Sequence, residues 1–255
     1  MSKLTDAMEK GKAFIPFLTA GDPDADSTVR YILAMARAGA DIIEIGVPFS
    51  DPTAESPMIQ EASLRALDGG MTMNGVFEIV RRVRAESNVP IVLYSYMNPV
   101  YFYGYPEFFA RCEELGIDGF ISPDLPYEEK GEVEEYAREH GVDVISMIAA
   151  SSGDRIPEIA GDASGFIHIV SSVGAVGTGE EVMTDLTALI NEVVKYAHVK
   201  AVTTYGILEP EQACNVTVGC GGVAVSGSVV RLIEKYGADA EVAIADYVRR
   251  MKSAL

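Results

Sequence analysis

The sequence predicts an α/β fold, a single-domain (β/α)8 barrel preceded by a short N-terminal helix. Three observations lead there. Strand-like and helix-like segments alternate along the chain in about eight units, the number that closes such a barrel. The connections are short and every strand reads as similarly buried. The GxGxxG turn expected after the first strand of an open doubly wound sheet is missing. At 255 residues, with no linker, repeat or low-complexity stretch, residues 1–255 are expected to form one domain.

The elements follow from local pattern. Leu4–Lys10 reads as the preceding helix. Ala13–Thr19 is an apolar strand ending in the turn Ala-Gly-Asp-Pro-Asp. Ser27 is the expected N-cap of a helix carrying Val29, Ile32, Leu33 and Met35 and ending near Gly39. The run Ile42–Val47 is the second strand, and helices are expected over Ile59–Leu67 and Gly75–Glu86. A third strand, Pro90–Tyr94, leads through SYMNPVYFYG to a helix over Pro106–Leu115. Gly119–Ser122 is the fourth strand, followed by PDLPYEE and a helix through His140. Asp143–Ala149 and Gly165–Val170 are the fifth and sixth strands, the first followed by a loop with one short helix, the second by the glycine-rich SSVGAVGTG. The helix Leu186–Ala197, a strand at Lys200–Thr204, the helix Pro210–Val216, a last strand at Gly222–Val225 and helices at Val229–Tyr236 and Glu241–Ser253 complete the chain.

Composition removes several functions. A formal charge of −18 argues against nucleic acid and anionic membranes as partners. An anionic substrate must then be drawn by local backbone dipoles. No apolar run approaches the roughly 20 residues that span a bilayer, and MSKLTDAMEKGK is no signal peptide, so a cytoplasmic protein is expected. Three cysteines without CxxC spacing fit a reducing compartment, and three scattered histidines argue against a histidine metal site.

The stretch with most chemical content is Asp41–Ile59, DIIEIGVPFSDPTAESPMI. Strand alternation turns Ile42, Glu44 and Gly46 to one face and Ile43 and Ile45 to the other. A carboxylate on a buried strand face costs several kcal/mol unless it is paired or neutralised. The loop beyond it brings Pro48, Asp51, Pro52 and Glu55. A buried acid followed by an acidic loop suits an acid/base pair facing one substrate; the competing reading is an ordinary buried ion pair and a solvated turn. Glycines after the last three strands, Gly174–Gly179, Gly206 and Ser226-Gly227-Ser228, fall where barrels gather a phosphate site from backbone N–H groups and a helix N-terminus.

EIGVPFSDP followed by Pro-Met-Ile-Gln resembles the signature of the tryptophan synthase α subunit, as do FIPFLTAGDP, MNPV, PDLP, Gly174–Gly177 and VSGS in the same order along nearly the whole chain. The resemblance implies reverse-aldol cleavage of indole-3-glycerol phosphate to indole and glyceraldehyde 3-phosphate. It implies Glu44 as catalytic glutamate and Gly177, Tyr205, Gly206, Gly227 and Ser228 as phosphate-binding positions. It places Pro48, Asp51, Asn98 and Asp124 where the family meets its β subunit in an α2β2 assembly, and it leaves pyridoxal phosphate to that partner, with no cofactor or metal in this chain. In that chemistry one carboxyl, Glu44, protonates C3 of the ring and then takes the side-chain hydroxyl proton. A second, Glu55, holds the ring N–H. Phe17, Tyr94, Tyr96 and Phe166 are expected around the aromatic half, or else as plain barrel core.

The chain also departs from the family. Glu55-Ser56 stands where the family has aspartate-glycine, His168 where it commonly has tyrosine, and Val176 where a threonine helps close the loop. His168 is expected to face inward, with Phe166 and Val170, and to share the site with Glu55, its shorter ring making room for the longer acid. Two other readings stay open at this point: an α-like subunit that mainly activates β, and another phosphate-binding barrel lyase or isomerase. A Schiff-base aldolase is disfavoured because only Lys200, at a strand start, is strand-borne.

Overall fold

The computed structural model describes residues 2–170, 186–206 and 208–255. In chain order the elements are α1 (Lys3–Met8), β1 (Ala13–Thr19), α2 (Ala25–Ala38), β2 (Ile43–Gly46), α3 (Pro57–Asp68), α4 (Met73–Arg84), β3 (Ile91–Tyr94), α5 (Met97–Tyr103), α6 (Tyr105–Leu115) and β4 (Gly119–Ile121). They continue as α7 (Gly131–Glu139), β5 (Asp143–Val144), β6 (Ser146–Ile148), α8 (Ile156–Gly161), β7 (Ile167–Val170), α9 (Leu186–Tyr196), β8 (Ala201–Tyr205), α10 (Pro210–Val216), β9 (Gly222–Val225), α11 (Gly227–Tyr236) and α12 (Glu241–Ala254).

All strand pairs are parallel, in the order β5-β4-β3-β2-β1-β9-β8-β7-β6. The two ends of that order, β5 and β6, are the halves of the expected fifth strand, interrupted at Ile145. Its first half pairs with β4 and its second with β7. The Ile145 amide still donates to Phe120 O at 2.8 Å. The barrel therefore closes through one continuous segment of chain, and among the described residues nine strands stand where eight are expected.

Period-two alternation sorts the strand side chains into two cores. Ala13, Ile15, Ile42, Val92, Ile121, Ile145, Phe166, Val202 and Ala224 fill the barrel interior, with Leu4 and Met8 of α1 packed into the same cluster. Phe14, Leu18, Ile43, Ile45, Ile91, Leu93, Phe120 and Val223 pack outward against the helices. Helix α1 thus plugs the N-terminal mouth of the barrel, leaving the strand C-termini for chemistry.

Several local expectations shift by a residue or a role. The N-cap of α2 is Asp24, not Ser27: its Oδ1 accepts from the Ser27 amide at 2.7 Å, so Ser27 sits in the first turn. Gly39 ends that helix in the left-handed region, at φ 105°. MNPVYFY, read only as a connection, forms α5, because Gly104 at φ 96° separates it from α6. On the same end of the barrel the guanidinium of Arg65 on α3 grips the buried Asp22 carboxylate with two hydrogen bonds of 2.9 Å, tying the loop after β1 to the helix after β2.

Candidate active site

Glu44 sits inside the barrel, as alternation along its strand requires. In β2 it pairs in register with Phe17 of β1 and Val92 of β3, and it is 2% exposed. His168 reaches it from β7, four places away in the strand order, so the two residues meet across the interior. His168 Nε2 lies 2.9 Å from Glu44 Oε1, and the imidazole is 1% exposed. Its other nitrogen, Nδ1, lies 2.8 Å from the Thr204 hydroxyl on β8. Phe166 packs against the imidazole at 6.0 Å between ring centroids, from deep in the interior core. Phe166 is therefore a floor beneath His168, the plain-core alternative of the sequence reading.

No hydrogen bond joins His168 and Glu55 among the described residues. His168 hydrogen-bonds Glu44 and Thr204. The reason is topological: β7 faces β2 across the barrel, whereas Glu55 lies on the loop above. Glu55 is carried inward by the turn Asp51–Ser56, which is pinned where the Ala54 amide donates to the Tyr96 hydroxyl at 2.8 Å. Burial pushes the Glu55 carboxyl above the usual glutamate range. The neighbouring Tyr94 hydroxyl opposes that rise, and the neighbouring Glu44 adds to it.

Around Glu55 the side chains of Phe17, Thr19, Phe49, Ile59, Tyr94 and Tyr96 line a cavity of ≈ 10 Å³. Phe17 and Tyr94 meet edge to face at 5.6 Å, and Phe49 tilts against Tyr96 at 5.3 Å. Two buried polar atoms border this cavity without a partner among the described residues, Glu55 Oε1 and Thr19 Oγ1. A buried polar atom left unpaired costs about 1–3 kcal/mol, so each calls for a partner from outside the described residues.

Of the expected phosphate positions, Gly177 lies outside the described residues, as do Gly174 and Val176. Tyr205 ends β8 with Gly206 directly after it, and Gly227 and Ser228 open α11 beside them. The Ser226 amide donates to Tyr205 O at 3.1 Å and the Ser228 amide to Gly206 O at 3.0 Å, which brings the two strand ends together. The Ser228 hydroxyl accepts from the Leu208 amide at 3.0 Å, so in this structure it braces the loop. A Cβ placed on Gly206 would meet no atom of the described residues within 4 Å.

On the rim, Asp51, Asn98 and Asp124 are exposed, while Pro48 is buried beneath them. Pro48 is therefore a support of the rim and not part of its surface. Asp124 accepts from the Met97 amide at 2.9 Å and from the Ser122 hydroxyl at 2.7 Å, joining the loops after β3 and β4. Beside Asn98, α5 exposes Tyr101 and, at 90%, Phe102.

A profile of the tryptophan synthase alpha chain matches residues 4–254. The chain belongs to the tryptophan synthase alpha chain family. It is 42% identical to the tryptophan synthase alpha chain of Lacticaseibacillus casei, over 100% of this chain and 96% of that one. The alpha chain of Lactiplantibacillus plantarum is 41% identical over 100% and 97%. Among solved structures, subunit alpha from Legionella pneumophila superposes with a TM-score of 0.87 at 31% identity, covering 100% of this chain and 98% of that one. A chain of the tryptophan synthase complex from Pyrococcus furiosus gives 0.86 at 31%, covering 95% and 98%.

Sequence reasoning about this alpha chain family member missed Thr204 and Thr19. Both sit on strands, where a threonine reads as an ordinary β-former. Alternation alone offered a signal: Thr204 shares the inward face with Val202, and Thr19 with Ile15 and Phe17. Among the described residues no group of His, Cys, Asp and Glu is arranged to hold a metal ion, and no helix is long and apolar enough to cross a membrane.

Proposed function

We propose that the chain, acting as one barrel domain over residues 1–255, cleaves indole-3-glycerol phosphate to indole and glyceraldehyde 3-phosphate and passes the indole to a β subunit in an α2β2 complex of the cytoplasm. The observation that carries this reading is the pairing of an interior acid, Glu44, with a loop acid, Glu55, whose Oε1 has no partner among the described residues. An indole ring N–H is a donor of the kind that oxygen lacks.

The residues have separate tasks. Glu44 gives its proton to C3 of the ring, and Glu55 as a carboxylate accepts a hydrogen bond from the ring N–H as positive charge develops there. Glu44, now a carboxylate, takes the proton of the side-chain hydroxyl. That oxygen forms the aldehyde while the electrons of the carbon–carbon bond return to the ring. Every step is a proton transfer or a bond cleavage driven by one, so these side chains suffice and pyridoxal phosphate stays with the β partner. A cavity of ≈ 10 Å³ is about the least that admits one water, so the aromatic half of the substrate enters by parting Phe17, Tyr94 and Tyr96. The phosphate is held beside Gly177, Tyr205, Gly206, Gly227 and Ser228. Asp51, Asn98 and Asp124 face the β subunit over buried Pro48, and the exposed Phe102 extends that surface as an aromatic anchor.

Indole release from indole-3-glycerol phosphate, measured with and without a β subunit, tests the reading. Release that rises with β supports it. No release in either case, together with faster β turnover, would make the chain a regulatory α-like subunit.

A further inference from the structure

We infer that His168 and Thr204 form a positioning relay for Glu44, which selects the oxygen that carries the reacting proton. The inference rests on the reading of Glu44 as the acid/base of the cleavage.

Geometry supplies the first half of the argument. The three groups form one line through the interior, Glu44 Oε1 to His168 Nε2 at 2.9 Å and His168 Nδ1 to Thr204 Oγ1 at 2.8 Å. They come from β2, β7 and β8, and the glutamate and histidine are almost entirely shielded from water. Their orientation is fixed by the barrel, not by flexible loops. The imidazole has little freedom to turn, with Phe166 packed against it.

Chemistry supplies the second half. A neutral imidazole has one N–H and one bare nitrogen, and the bond at each fixes the other. In one turnover Glu44 passes from carboxylic acid to carboxylate and back. If Nε2 were bare, Oε1 would have to carry the proton, and on losing it a carboxylate oxygen would face a lone pair. If Nε2 carries the hydrogen, Oε1 accepts it in both states, as the carbonyl oxygen of the acid and as one oxygen of the carboxylate. That tautomer requires a donor at Nδ1, which the Thr204 hydroxyl supplies. Glu44 is then clamped through Oε1 throughout the cycle, and Oε2 is the oxygen that gives and takes the proton. No net proton moves along the relay.

The test uses the full chain in complex with a β subunit, with Thr204→Val, which keeps the shape and removes the hydroxyl, and Thr204→Ser, which restores it. Loss of one such hydrogen bond is expected to lower kcat on the order of 10-fold with KM unchanged, and the serine variant to recover it. Nitrogen-15 NMR, with His168 assigned by its absence in His168→Asn, is expected to show the Nε2–H tautomer in the parent and a changed signal in Thr204→Val. A role in packing alone would lower stability without the split between kcat and KM and without moving that signal. An Nδ1–H tautomer or a doubly protonated ring in the parent, or unchanged kcat in a folded Thr204→Val protein, overturns the relay. If Thr204→Val does not fold, the parent's tautomer still decides. If the parent releases no indole even with β, the proposed function fails while the tautomer measurement still judges the relay.

Discussion

The Phe17 ring fills the space that a side chain at residue 46 would need, its Cε2 lying 2.8 Å from where a Gly46 Cβ would stand. Gly46 ends the strand that carries Glu44, and Phe17 forms a wall of the cavity beside Glu55. Gly46→Ala should therefore push the ring toward the substrate site. Overpacking of this kind typically costs about 1–3 kcal/mol, and kcat/KM for indole release should fall as well. Parental values of both kcat/KM and the urea midpoint would show that the ring has room elsewhere.

Glu44→Gln keeps the shape of the side chain and its bond to His168, and removes the acid/base. Turnover of indole-3-glycerol phosphate should drop roughly 10²–10⁴-fold, with the circular dichroism spectrum unchanged. Wild-type turnover in a folded variant would remove Glu44 from the mechanism.

Glu55 makes activity and stability respond oppositely to pH. Because burial raises its pKa in the folded state, the unfolded chain loses the proton first as pH rises. The penalty is absent below the ordinary glutamate range and grows as pH climbs from there through the raised folded value. Glu55→Gln should accordingly gain stability relative to the parent at neutral pH more than at acid pH, while losing activity. Tyr94 holds the carboxyl down, so Tyr94→Phe should move the acid limb of the kcat/KM profile to higher pH. A limb that stays put, or moves lower, would contradict the assignment of Glu55.

Gly206→Val should separate binding from folding. Its Cβ meets no atom of the described residues within 4 Å, so the thermal midpoint should hold. The added methyls would stand where the phosphate is expected, and KM should rise with little change in kcat. An unchanged KM would move the phosphate to another sector of the barrel.

Arg65→Met would leave Asp22, 1% exposed, as a buried carboxylate without its guanidinium. Breaking such a pair from one side typically costs about 3–5 kcal/mol, and the partly exposed arginine sets the expectation at the lower end. Chemical denaturation would measure it; a loss well under 1 kcal/mol would mean that water replaces the lost partner.

What was legible in the sequence was what local period determines. The inward direction of Glu44 follows from its neighbours Ile43 and Ile45 pointing out, and β1, α10 and β9 have the expected bounds because prolines, glycines and apolar runs mark them. Long-range closure was not legible. The interruption at Ile145 depends on which strands flank it, and the partner of His168 comes from the far side of the barrel, 124 residues away. Helix α5 escaped notice because its aromatic residues carry no helical period, and Asp24 displaced Ser27 as a cap because both can serve and only the backbone decides.

The seam at Ile145 gives the barrel a natural place to be divided. Severed there, one fragment would keep both working acids, Glu44 and Glu55, and the other would keep the histidine and threonine that hold Glu44. Neither piece has a whole site, so indole released by a mixture of the two would report, as a split reporter does, that the halves had found each other and shut the ring.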